Sequence, residues 1–260
     1  MRASVVVALA VVLAACQPAH QTEPPNTLAA TSAAADAAAD KLVAMARGSE
    51  TSGVAPRQSD PVAGPLLDKV FDTSPLPTLP RDFADLPPMN RWGAAMIKVG
   101  QIYVLAGTGF TDASNATTDA AAARSLQNFN VYAPELGRFF DAEVMLLSTE
   151  CASLQYLQAV HPSAADADRR AAMMQDLQYK VEKAYSSELG FMLNAGPTDA
   201  WKDARIRVLA TEAPRVSGML LPNSWGHLQR QARDVAAQST DPALKADLEL
   251  FATRIEPPGG

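Results

Sequence analysis

Two glutamates seven residues apart, Glu143 and Glu150, are the clearest candidates for chemistry in the chain. On a helix that separation is two turns, which places both carboxyls on one side with their Cα atoms about 10 Å apart. They share that side with Leu146, Leu147, Leu154 and Leu157. Paired inward carboxyls are what ferritin-like di-iron bundles use, but such sites also draw a Glu-x-x-His pair from partner helices. Gln158 stands where that glutamate should precede His161, and Ser224 where it should precede His227, so no metal ligand set and no cofactor is expected. Two readings stay open. The glutamates cap or pair with Lys or Arg of a neighbouring helix, or they form a ligand-binding set together with Lys98 of the apolar run 91–106.

Other spacings that mimic catalytic motifs fail on inspection. Gly107, Thr108 and Gly109 follow an apolar run as a dinucleotide-binding turn would, but the third glycine of that motif falls on Asp112, a carboxylate where a pyrophosphate should sit. Ser224 and His227 lie three apart, yet a nucleophile elbow requires glycine at position 222, where proline stands, and a strand before it. No catalytic residue is therefore assigned. Arg205, Arg207, Arg215, Arg230 and Arg233 gather positive charge in the C-terminal third, suited either to an anionic partner or to a solvated face paired with Asp and Glu. Cys151, between Leu147 and Leu154, reads as a small buried hydrophobe rather than a reactive thiol.

The elements that must position these residues are helical. An Ala-rich run over 35–47 predicts a helix ending at Gly48, either the first element of the domain or a loosely attached stalk. Eight prolines over 56–88 forbid one continuous helix there and predict a segment that wraps the surface, with a short amphipathic turn at Leu66, Leu67, Val70 and Phe71. The run 91–106, with Trp92, Met96, Val99, Ile102 and Tyr103, predicts the central helix of the core, its polar stripe reduced to Lys98 and Gln101. Further helices are predicted up to 131, over 134–160 and 163–192, and from 198, 223 and 241 onward, the last closing near 255. Period-two alternation is nearly absent. The expected fold is an all-α, bundle-like domain of six or seven helices over 59–256, ahead of a short tail at 257–260.

The first sixteen residues are of a different kind. Arg2, an apolar stretch of about ten residues and the small residues before Cys16 make the three zones of a secretory signal. That stretch is about half the twenty residues a membrane-spanning helix needs. Leu13, Ala14, Ala15 and Cys16 resemble the lipobox of bacterial lipoprotein signal peptides. The resemblance implies cleavage of 1–15, a diacylglyceryl thioether on Cys16 and acylation of its amine, and with Gln17 rather than Asp after the cysteine it implies the outer membrane. Pro, Thr, Gln, Asn and Ala then predict a flexible tether over 17–34, in which His20 is solvated.

Charge and cysteine count narrow the partners. The formal charge is −6 without long like-charged runs, which argues against nucleic acid. Only two cysteines occur, and lipidation would consume Cys16, so no disulfide is expected. The sequence thus predicts a periplasmic protein held to the membrane by its lipid. It reads as a non-catalytic accessory or binding component with a possible envelope protein partner. The alternative is a helical small-molecule or metal binder, or a periplasmic hydrolase.

Overall fold

In a computed structural model, residues 27–74, 76, 86–108, 119–160, 167–193 and 198–255 are described. Cys16 and its lipobox, His20, most of the tether, Leu79, Phe83, Gly109, Asp112, His161 and the 257–260 tail lie outside them. Among these residues ten α-helices follow in order: α1 Thr27–Met45, α2 Ser49–Ser52, α3 Ala63–Phe71, α4 Leu86–Leu105, α5 Asp119–Val131, α6 Ala133–Val160, α7 Ala167–Met192, α8 Asp199–Val216, α9 Pro222–Gln238 and α10 Pro242–Arg254. No strand occurs among the described residues, and the fold is all-α. Beyond the proline-rich segment the described residues form seven helices, α4 to α10, and the short amphipathic turn within that segment is a helix of its own, α3. None of the helices described is long and apolar enough to cross a membrane.

Helix starts are where observation and expectation differ most. α1 begins at Thr27 rather than near 35, because the intervening residues are rich in alanine, the strongest helix former. α4 begins at Leu86 rather than 91. Its Pro87 and Pro88 fall in the first turn, where a missing amide proton has no carbonyl to meet. α9 starts with Pro222 in its first turn rather than with Asn223 as a cap. Two caps match the expectation: Thr198 Oγ1 accepts from the Trp201 amide at 3.2 Å, and Asp241 Oδ1 from the Ala243 amide at 2.8 Å.

α1 packs into the domain. Leu28, Ser32, Ala35, Ala38, Ala39 and Leu42 recur every three or four residues and are all buried, and the alanines let α1 lie close along α4 and α3. With α5 and one side of α6 these helices enclose a first core around Trp92, Met96, Tyr103 and Phe129. A second core, around Tyr185, Leu209, Leu228 and Phe251, lies among α7 to α10 and another side of α6, and Cys151 is wholly buried in it. α6 therefore serves both. Leu136, Phe139, Phe140 and Leu146 face the first core, while Val144, Leu147, Cys151 and Leu154 face the second.

Pro214 shows how the second core absorbs a local fault. It lies inside α8, which continues to Val216, and its ring nitrogen leaves the carbonyl four residues earlier, Ala210 O, without its helical donor. Arg254, in the last turn of α10, donates from Nη1 to that carbonyl at 3.0 Å. Arg254→Ala is expected to cost about 1–3 kcal/mol, the range for orphaning a buried polar group. In a Pro214→Ala background the cost should fall below about half of that, because the substitution restores the backbone amide donor. Urea unfolding of the four proteins of the cycle measures both, and equal costs in the two backgrounds would refute the assignment.

Candidate ligand groove

α4 and α7 both pack on α6 and leave a groove of about 480 Å³ between them, with α6 as its floor. Asn90, Gly93, Met96, Ile97 and Val104 come from α4, and Phe139, Phe140, Glu143, Leu146, Leu147 and Glu150 from α6. α7 supplies Asp176, Tyr179, Lys180, Lys183, Ala184, Ser187 and Phe191. The seven-residue spacing thus brings Glu143 and Glu150 into one cavity. Phe140 packs against Phe139 and Phe191 with ring centroids at 5.2 and 5.4 Å, so much of the wall is aromatic. Ile97 and Tyr179, at the rim, are 46% and 65% exposed.

The electrostatics of the two glutamates follow from burial without hydrogen-bond partners. Glu150 is only 7% exposed, and among the described residues no donor meets either carboxyl. Loss of water raises Glu143 to about 7, with Lys183 opposing the rise. The same cause raises Glu150 to about 7, with Lys180 opposing it and Asp176 adding to it. Lys180 is held by Asp176 one turn earlier at 2.6 Å, and Lys183 lies 5.9 Å from the centre of the Tyr179 ring. No ion pair forms between these lysines and the glutamates.

Near Glu143 lies a second set of charged groups, of which the sequence singled out only Arg205. Asp141 is ion-paired with Arg205, whose Nη2 donates to Oδ2 at 2.6 Å and whose Nε stands 2.5 Å from Oδ1. Burial still raises Asp141 to about 6 against the pull of Arg205. Glu188 is 2% exposed, with Oε1 unpartnered among the described residues. Burial first, and then Asp141 and Glu143, push it well above the ordinary range. A Cβ at Gly137 would stand 2.2 Å from Arg205 Nη1, so the glycine leaves the room through which the guanidinium reaches Asp141.

The remaining sequence candidates lie elsewhere. Lys98 is on the side of α4 that faces α1, ion-paired with Asp40 and outside the groove that holds Glu143 and Glu150. Ser224 is buried and donates to Glu182 Oε2 at 2.7 Å, whereas His227 Nε2 pairs with Ser186 Oγ at 3.2 Å, so the serine and histidine do not engage each other. Gly107, at φ 70, ends α4 and donates to Ser49 O at 2.7 Å. Arg207 pairs with Asp203 and Asp247, and Arg215 with Glu212, while Arg230 and Arg233 are exposed. None of the three tryptophans lines the groove. Their indole N–H groups donate to the carbonyls of Val70, Ala133 and Ser217. Among the described residues no three His, Cys, Asp or Glu side chains are grouped as a metal site would need.

The raised glutamates carry a pH signature. From their ordinary value of 4.5 up to about 7 the folded protein keeps protons that the unfolded chain has released. Their contribution to stability is therefore complete below about pH 4.5 and is lost as pH climbs to about 7. Glutamine does not titrate. The melting temperature of Glu143→Gln, Glu150→Gln relative to wild type should rise across that window and level off above it. A difference that stays constant with pH would mean that the carboxyls are solvated. Compared with family models, with curated proteins and with solved structures, the chain matches none.

Proposed function

We propose that the chain is a lipid-anchored, non-catalytic binding protein of the bacterial envelope that holds a small organic molecule with a largely apolar body between α4, α6 and α7. The groove carries the reading: a cavity of about 480 Å³ with aromatic and aliphatic walls and two carboxyls turned into it without partners. Sites for small organic ligands have that composition, mostly apolar with a few placed polar groups. The exposed apolar rim at Ile97 and Tyr179 is surface that a bound molecule would cover.

The anchor belongs to the same proposal. Leu13 to Cys16 would direct lipidation, and Gln17 would favour the outer membrane. A binding domain confined to a membrane surface meets ligands or envelope proteins of that surface at raised effective concentration. A diffusing protein lacks that gain.

Purified protein should bind an environment-sensitive neutral dye such as N-phenyl-1-naphthylamine with a blue-shifted rise in fluorescence. Ser187→Trp, placed on the exposed side of the groove, should fill it and weaken binding about tenfold or more, equivalent to about 1.4 kcal/mol. Unchanged binding in that variant would place the dye elsewhere and refute the groove. In cells fed a labelled fatty acid, wild type should take up label and Cys16→Ser should not. Label retained by the Cys16→Ser protein would refute the anchor.

A further inference from the structure

Resting on the groove reading, we infer that the molecule it takes is an organic cation, an ammonium group on an apolar, ring-sized body. Groups facing the groove discriminate among ligand charges. α4 contributes no charged side chain, only Asn90; α6 contributes Glu143 and Glu150; α7 contributes Asp176, Lys180 and Lys183. Lys180 is committed to Asp176 at 2.6 Å. Lys183 is exposed and can turn its ammonium into solvent along its flexible stem. The glutamates have less freedom, because they stand on the α6 floor, Glu150 buried and Glu143 half-buried.

A neutral guest would dry the two carboxyls further and offer them no charge. An anion would add repulsion. An ammonium supplies both the missing donors and the missing charge, and charge-assisted hydrogen bonds are the stronger kind. The walls agree with that choice, since Phe139, Phe140, Phe191 and Tyr179 line the same groove as the carboxyls, and aromatic rings attract organic cations. Two acceptors two helical turns apart also leave room for a body that reaches from one to the other.

Three probes with one body and three heads test this on the purified protein: 1-naphthylmethylammonium, 1-naphthalenemethanol and 1-naphthoate, titrated by fluorescence. At about pH 8, where both carboxyls are ionised, the ammonium should bind about tenfold or more tighter than the alcohol, and the naphthoate weakest. At about pH 5, where both are protonated, the preference for the ammonium should shrink to about twofold or less. Glu143→Gln, Glu150→Gln should abolish the preference at pH 8 while leaving the alcohol within about twofold of wild type, which also shows that the variant is folded. Equal binding of ammonium and alcohol at pH 8, or tightest binding of the naphthoate, would overturn the cation while leaving the groove standing. Binding of none of the three would overturn both, and alcohol binding that Ser187→Trp weakens separates the first failure from the second.

Discussion

The structure depends on a single helix that is covered on almost every side. α6 runs for 28 residues, about 42 Å, and from Glu135 to Leu154 none of its residues is exposed. A helix in that position can carry polar side chains only where something other than bulk water answers them. Most are answered. Glu135 Oε1 accepts from the Gln58 amide at 2.8 Å, Arg138 pairs with Asp68 at 2.7 Å, and Asp141 is held by Arg205. Ser148 donates to Glu212, and Thr149 and Ser153 donate back to carbonyls one turn earlier. Glu143 and Glu150 alone among these polar groups are left over, and both open into the same groove. Among the described residues, the groove is thus the one place along α6 where whole carboxyls have no hydrogen-bond partner.

Two cores on one helix also explain why the groove exists. α4 approaches α6 closely where Gly100 faces Phe139, with a hypothetical Cβ only 2.8 Å from the ring, whereas α7 lies along α6 on the side of Leu147 and Cys151. Each neighbour is tied to its own core, α4 by α1 and α3, α7 by α9. Neither can roll toward the other without opening what it already buries. Phe139, Phe140 and Phe191 are wide enough to line the resulting gap but not to close it.

The helical plan was legible in the sequence because its signals are local. Apolar residues at intervals of three and four, alanine runs, Thr198 and Asp241 as caps, and Gly107 after the last turn of α4 each act within a few residues of where they stand. The spacing of Glu143 and Glu150 was legible for the same reason, since two turns of helix fix their common side. Their neighbours were not. Lys180, Lys183 and Tyr179 are brought to them by the way α7 lies on α6, and no pattern within either helix states that. Lys98, which shares an apolar helix with groove residues, faces Asp40 on α1 because the polar stripe of α4 is turned toward that helix. Arg205 reads as one more surface arginine, yet it lies half-buried on Asp141 through the gap that Gly137 leaves. The early start of α1 was hidden because residues 27–34 mix alanine with Thr and Ser and offer little apolar surface of their own, so that only the facing surfaces of α3 and α4 show that the helix extends through them.

A helix selected for stability alone would not retain two desolvated carboxyls. Apolar residues at 143 and 150 would extend the stripe of Leu146, Leu147 and Leu154 and remove the work of drying two ionisable groups, each raised by burial from 4.5 to about 7. The apolar choice is available to this fold at no cost in helix propensity, since leucine and glutamate rank closely. Elsewhere on α6 the chain answers its polar groups from α8 and from the loop before α3, so the capacity to place partners is not lacking. Whole carboxyls left without a side-chain or backbone partner, on a helix whose other carboxyls each have one, are a local sacrifice of stability, and such sacrifices are characteristic of binding sites. That contrast, rather than the presence of glutamates on a helix, is what separates Glu143 and Glu150 from Glu135, Asp141 and Glu212.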